Sequence, residues 1–222
     1  MKEIERIIAV GDIHGCLNSL KQLIDELKID NKTDRLVFIG DYIDRGKYSF
    51  EVIQYLLELR RYMGFDNCIL LRGNHEQMLI DCGGCPNSLW IRNGAYATID
   101  SFFRHGEEPS NYLNFFKNLP LVCESENAFF CHAGFTYPYR ADNTDFDLLW
   151  GRDWIETDSE EREKTVIFGH TPNWPDFGIY TTATGDICID GGCVYGGCLC
   201  ALAIHEDGSA EKFSVSQHEG DK

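Results

Sequence analysis

The chain has 222 residues, 43% of them hydrophobic and 25% charged, which is enough apolar content to fill a core; wholesale disorder is excluded and one domain over residues 1–222 is expected. With 36 acidic against 20 basic side chains the net charge is −16, a balance that repels nucleic-acid backbones and anionic membrane surfaces, so neither partner is expected. No apolar run approaches the roughly 20 residues that span a bilayer, and the opening MKEIERIIAVGD turns polar at Asp12 too soon for a signal peptide, which predicts a cytoplasmic protein.

Short apolar runs recur, each followed at once by a polar, glycine-bearing cluster: IIAV before GDIHG, LVFIG before DYIDRG, CILL before RGNHE, AFFC before HAG, and TVIFG before HT. They read as buried strands whose carboxyl ends carry polar loops. Helical patterns lie between the first three. Leu17, Leu20, Leu23, Ile24 and Leu27 share one face, and Val52, Ile53, Leu56, Leu57 and Leu59 mark a second helix over 50–59. Strand, helix, strand, helix, strand predicts parallel crossovers. Residues 86–118 read as a mainly helical, peripheral insertion or cap, broken at Pro109 and Ser110. Further strands are expected at 127–131, 165–169, 186–189, 198–204 and 210–215; several are too close together for helical crossovers, so the sheets become mixed. The tail SQHEGDK is expected to fray.

Ten cysteines without an export pattern predict free thiols. Cys16, Cys68, Cys123, Cys131 and Cys188 lie in or beside apolar segments, where the thiol acts as a small hydrophobe. Cys82 and Cys85, in CGGC, have the one spacing with chemical meaning, since two such thiolates can hold a metal or form a redox disulfide. No second CxxC completes a tetrahedral site, although Cys198 and Cys200 are candidates to come near, and no catalytic part is expected of the pair.

Ligands of open α/β sheets gather at the carboxyl ends of strands, and here those ends supply Asp12, His14, Asp41, Asn74, His132 and His170. Two carboxylates, one Asn and three imidazoles suit Mn, Fe or Zn better than Ca or Mg, which prefer all-oxygen shells. Two ions fit better than one. Asp41 has two oxygens able to bridge ions about 3.5–4 Å apart, and such a pair generates a hydroxide nucleophile while clamping an in-line displacement at phosphorus. Each residue also has a plainer reading: Asp12, Asp41 and Asn74 as turn or helix-cap residues, His132 and His170 as satisfied buried histidines. Six of them converging in this order favours the metal site. His105, His205 and His218 lie in polar contexts and are assigned to the surface.

GDIHG at 11–15, GDYIDRG at 40–46, GNHE at 73–76, HAG at 132–134 and GHT at 169–171 resemble, in order, the signature of the phosphoprotein phosphatase type of metallophosphoesterase. The resemblance implies an α/β fold, an αββα sandwich of two mixed β-sheets flanked by helices, with the site between the sheet edges. It implies one ion on Asp12, His14 and Asp41 and a second on Asp41, Asn74, His132 and His170, with Mn expected and Fe or Zn as alternatives. His75 is implied as the general acid for the leaving oxygen, with Asp44 bonded to its other ring nitrogen and holding it protonated; the plainer reading of Asp44 is an ion pair with Arg45. Arg45 in DRG and Arg152 in LLWGR match the family's phosphate clamp, where a planar guanidinium suits two phosphoryl oxygens. Arg72 is a third candidate, with a structural ion pair as its alternative, and Asn74 is counted among the substrate contacts. Glu76 favours the start of its helix and supports the site from behind. IDGGCVYGG resembles the family's IDTG and YGG segment, with Gly192 in place of a small hydroxyl residue; Tyr195 there is a substrate contact or a core tyrosine, and Trp90, Arg92 and Asn93 are expected on the cleft rim. The implied activity is a Ser/Thr protein phosphatase acting on phosphomonoesters, with a phosphorylated protein or a small phosphoester as partner. A diadenosine polyphosphate hydrolase is the alternative on the same fold. A metal-containing binding module without turnover is disfavoured by the presence of His75, Asp44 and Arg45.

Overall fold

The computed structural model describes residues 4–153 and 164–222. Strands β1 (Arg6–Val10), β2 (Asp34–Phe38) and β3 (Cys68–Leu70) pair in parallel, with Ile8 opposite Leu36 and Phe38 opposite Leu70. The chain then lays down a second sheet from β4 (Val122–Glu124), β5 (Ala128–Cys131), β6 (Thr165–Phe168), β7 (Tyr180–Thr181) and β8 (Ile187–Cys188), in the order β4-β5-β6-β8-β7. It returns through β9 (Cys198–His205) and β10 (Ala210–Ser216), which add antiparallel to β1 and complete the first sheet as β10-β9-β1-β2-β3. Both sheets are mixed, as the close spacing of the later strands implies.

Period-two alternation decides which layer each side chain enters. On β1, Ile8 and Val10 join the core under the helices, while Ala9 joins the layer between the sheets. On β2, Leu36 and Phe38 face the helices and Val37 faces the second sheet. In the second sheet Phe130 and Ile167 fill the inter-sheet layer, and Phe129, Cys131, Val166 and Phe168 form an outer layer with Phe135 and Leu148. Each fully buried Val, Leu, Ile or Phe among them contributes roughly 1.5–3 kcal/mol. The result is helix, sheet, sheet, helix.

Helix α1 (Leu17–Leu27) buries Leu20, Leu23 and Leu27 and stops at Lys28 in a left-handed conformation, φ 48°. Helix α2 (Ser49–Met63) buries Val52, Ile53 and Leu56 and runs a full turn beyond its apolar pattern, because Gly64 ends it. After α3 (Asn74–Asp81) come α4 (Ser88–Arg92), α5 (Ala95–Arg104) and α6 (Leu113–Lys117), and α7 (Asp145–Trp150) covers the second sheet. The 86–118 segment is helical but not peripheral. Trp90, Ala95 and Phe116 are buried in the same core as α1 and α2, because these short helices turn their largest apolar side chains inward. The tail also departs from expectation. Asp221 is buried and accepts from the backbone N–H groups of Asn18 (3.0 Å) and Ser19 (2.8 Å), supplying the cap that Cys16 cannot give α1. Among the described residues no helix is long and apolar enough to cross a membrane.

Candidate active site

The carboxyl ends of β1, β2, β3, β5 and β6 meet at one edge between the sheets, and the loops there are held in costly conformations. His14 (φ 45°), Asp41 (φ 53°), Asp44 (φ 71°), Arg45 (φ 70°) and His170 (φ 66°) are all left-handed without being glycine. Such strain persists only where surrounding bonds over-determine it. Glu76 supplies several of them: its Oε2 accepts from the N–H of Asp41 and of Gly73, both at 2.9 Å, and its Oε1 from Tyr42 at 2.8 Å. Burial, then the charge of Asp41, pushes this carboxyl up to about 8. Glycine is required where carboxylates touch loops. A Cβ on Gly73 would stand 2.2 Å from Asp41 Oδ1, and one on Gly169 2.0 Å from Asp12 Oδ1.

Asp41 lies at the centre. His14 Nε2 is 3.3 Å from its Oδ2, His132 Nε2 3.4 Å from its Oδ1, and His75 Nε2 3.8 Å from Oδ2. His14 gives its Nδ1–H to Ile43 O at 2.8 Å and His132 gives its own to Ile39 O at 3.1 Å, so the Nε2 lone pair of each points at the carboxylate. Burial is the main force that lowers the pKa of His14 (to about 4, with Arg45 contributing), His132 and His170, so these three imidazoles stand ready as neutral ligands. Asn74 Oδ1 faces His132 Nε2 at 2.8 Å and His170 Nδ1 at 3.1 Å, acceptor against acceptor. A cation among the three resolves that conflict; with the amide turned over, its nitrogen would donate to the same imidazoles and to Asp41. Arg45 Nη1 rests against His14 Nε2, a cation of the protein placed where that lone pair points. Asp12 is forced well above its usual range by burial and then by Asp190 and Asp41. Lone pairs facing a carboxylate, and buried carboxylates facing one another, are a donor set that fits divalent cations. Two such clusters share Asp41: His14, Asp41 and His75 in one, Asp41, His132 and His170 in the other.

Asp44 and His75 form a separate unit. Both are fully buried, and His75 Nδ1 is 2.6 Å from Asp44 Oδ2. Asp44 makes no ion pair with Arg45; instead Trp90 Nε1–H donates to Oδ2 at 2.8 Å and Thr98 Oγ1–H donates to Oδ1 at 2.6 Å. Trp90 therefore stands behind the acid unit and not on the rim, since its indole is driven into the core and its one polar atom must find a partner.

A cavity of about 330 Å³ opens over Asp41, Asn74 and His75, and both Arg45 and Arg152 line it. Arg152 Nε donates to Thr171 Oγ1 at 3.1 Å, and the Arg45 guanidinium lies over the Tyr195 ring at 5.3 Å. Tyr195 is a half-exposed wall residue, not a core tyrosine, and Asn93 lines the cavity while Arg92 does not. Arg72 does not reach it. Its guanidinium donates to Gln77 Oε1 (2.9 Å) and to the carbonyls of Lys117 (2.7 Å) and Leu119 (3.0 Å), so it anchors the turn after α6 and its assignment to substrate is corrected. Residue patterns passed over Asp190, which lines the cavity with its carboxyl raised to about 7 by burial and by Asp41. The signal was available: Asp190 follows β8 as Asp12 follows β1. Trp174, on the loop after β6, was missed because nothing in its surroundings marks an exposed wall.

The chain is 30% identical over 181 residues to serine/threonine-protein phosphatase 1 of Salmonella typhimurium, covering 77% of this chain and 81% of that one. It is 28% identical to the asymmetrical bis(5'-nucleosyl)-tetraphosphatase PrpE of Bacillus mycoides over 89% of each chain. A solved protein serine/threonine phosphatase from Saccharomyces cerevisiae superposes with a TM-score of 0.72 at 17% identity, covering 98% of this chain and 82% of that one, which shows a shared fold. The model of the calcineurin-like phosphoesterases matches residues 5–209, and the chain is thereby a member of that family, an enzyme that hydrolyses phosphoester bonds.

Proposed function

We propose that the protein is a Ser/Thr protein phosphatase that hydrolyses phosphomonoesters with two divalent ions, Mn in preference to Fe or Zn. Asp12, His14 and Asp41 would hold one ion, and Asp41, Asn74, His132 and His170 the other. The observation that carries this reading is the placement of Asp41, with imidazole lone pairs aimed at both its oxygens on the floor of a cavity that also receives His75, Arg45 and Arg152. When bound, the ions supply a water ionised at neutral pH and neutralise phosphoryl charge.

The chain's own residues do the rest. Arg45 and Arg152 would hold two phosphoryl oxygens and offset charge in the transition state, Arg45 turning from His14 while staying over Tyr195. Asp44 orients His75 through Nδ1, and His75 Nε2 passes a proton to the departing seryl or threonyl oxygen. The Salmonella relative supports the protein substrate. A cytoplasmic setting suits a chain rich in cysteine thiols. Hydrolysis of a dinucleoside polyphosphate is the second reading, favoured by Trp174, 68% exposed on the cavity wall, where it can stack on a base. Against it, Arg45 and Arg152 are the only cations lining the cavity among the described residues. The test compares phosphopeptides, diadenosine tetraphosphate and a chromogenic aryl phosphate at matched Mn and pH. A higher kcat/KM on phosphopeptides is expected; the reverse ranking selects the second reading, and no turnover on any of them rejects both.

A further inference from the structure

Alternation on β9 turns Cys198 and Cys200 to the same inner face as Leu202, toward the second sheet. Their sulfurs are 3.4 Å apart. Both press on one glycine: a Cβ on Gly191 would lie 2.6 Å from Cys200 Sγ and 2.9 Å from Cys198 Sγ. The backbone is tied at the same place, with Cys198 N–H donating to Gly191 O at 2.9 Å and Gly197 N–H to Gly192 O at 3.1 Å. Asp190, next to Gly191, accepts from Gly192 N–H at 2.9 Å and lines the cavity. The thiol pair thus stands directly behind a wall of the active site.

Cys200 is buried and Cys198 half-buried, so a small reagent meets Cys198 first. The hydrogen bond from Cys200 brings the Cys198 thiol down to about 7, while Cys200 is pushed up and keeps its proton. The metal-binding clusters found among the described residues do not include either thiol, so no third donor makes the pair a metal site. Residues two apart on a strand have Cα atoms about 6.6 Å apart, inside the upper edge of the roughly 4.4–6.8 Å that a disulfide spans. The CGGC pair is unlike this: Cys82 Sγ donates to Leu79 O, and Cys85 is exposed.

We infer that Cys198 and Cys200 are an oxidation site for peroxides, and that their disulfide displaces the Asp190–Gly192 loop and lowers turnover. The Cys198 thiolate attacks the peroxide; an S–O bond forms, the O–O bond breaks, and the departing hydroxide takes up a proton as water. The Cys200 sulfur then attacks the Cys198 sulfenic acid; the S–S bond forms, the S–O bond breaks, and the hydroxyl leaves with the Cys200 proton as a second water. Two thiols are oxidised and one peroxide is reduced. Thiol reductants reverse the step. The sulfurs must close from 3.4 Å to about 2.05 Å, and Gly191, packed on both, moves with them.

The disulfide is independent of the phosphatase reading; the change in turnover rests on it. The full chain, Cys198→Ser and Cys200→Ala are treated with hydrogen peroxide, alkylated and mapped by mass spectrometry, with aryl phosphate turnover, metal content and hydrogen exchange over residues 187–197 followed together. Expected are a Cys198–Cys200 disulfide, faster exchange in that segment, and a fall in turnover of up to roughly 10²-fold, the scale on which an ångström-level misplacement acts. Dithiothreitol should restore it at unchanged metal content, and Cys198→Ser should keep its activity in peroxide. Both thiols remaining alkylatable would overturn the proposal, as would a disulfide that leaves exchange unchanged, or equal peroxide sensitivity in Cys198→Ser. A chain with no turnover still answers through mapping and exchange.

Discussion

The loops of the two sheets contribute to the cavity in different ways. Those after β1, β2 and β3 bring Asp12, His14, Asp41, Asp44, Asn74 and His75, all buried, and all but Asn74 are fixed by hydrogen bonds to backbone or to buried side chains. Those after β5 to β8 bring His132, buried and fixed like the first group, His170 and the buried Asp190, but also Arg152, Trp174 and Tyr195, which stand open to solvent. The first sheet supplies most of the buried reacting groups, and the second most of the open surface that meets what enters. Rigidity that serves the chemistry is kept apart from the surface that chooses the substrate.

The largest effect expected from breaking this arrangement is at Asp41. Asp41→Asn removes the negative charge on which His14 and His132 converge. The wild-type chain reconstituted with Mn should carry two ions and the variant one or none, with turnover below detection; elemental analysis reads the first quantity directly. Retention of two ions by the variant would remove Asp41 from the bridging position. His75→Asn comes next. It should lower turnover by roughly 10²- to 10⁴-fold, the range for loss of a general acid, with metal content unchanged. Parallel loss of metal would make His75 a ligand, a role its 3.8 Å approach to Asp41 makes worth testing.

Much of the first sheet's part was legible because its signal is local. An apolar run followed by a glycine and a carboxylate places Asp12 and Asp41 at strand ends without any knowledge of the tertiary structure. Sequence order also fixes that Asn74 and His75, as neighbours, leave the chain in different directions. What failed was long-range. Arg72 looks like any arginine in a loop until the carbonyls of Lys117 and Leu119 are brought beside it. Trp90 looks like a rim aromatic until its indole N–H is found 2.8 Å from an aspartate 46 residues earlier. The strand period that places Cys198 and Cys200 on one face is visible in the sequence, but not the glycine both sulfurs touch.

Trp90 and Trp174 put the contrast to a direct kinetic test. Trp90→Phe keeps the packing but takes one donor from Asp44, so kcat should fall about tenfold, the order of one hydrogen bond to a charged group. KM should hold, since Trp90 is outside the cavity. Trp174→Ala should do the opposite, raising KM roughly threefold through lost ring contact with kcat little changed. Steady-state kinetics on one phosphopeptide separates the two. A KM effect at Trp90, or a kcat effect at Trp174, would dissolve the division between floor and wall.

The smallest effect on activity is expected at the far end of the chain, where it bears on whether the first sheet's loops hold their geometry alone. Asp221 Oδ1 accepts from the Asn18 N–H and Oδ2 from the Ser19 N–H, closing the amino end of α1 four to five residues after His14. Asp221→Ala should cost about 1–2 kcal/mol, the value of a lost helix cap, and so lower Tm by about 2–8 °C in a chain of this size. Thermal denaturation measures that loss. His14 is held independently, by its Nδ1 bond to Ile43 O and by the backbone N–H that it gives to Asp41 O at 2.8 Å, so kcat at 25 °C should stay within a factor of about two, the reach of a few tenths of a kcal/mol. If kcat instead falls in step with Tm, the tail is part of what positions His14, and the geometry of the active-site floor reaches across the whole length of the chain.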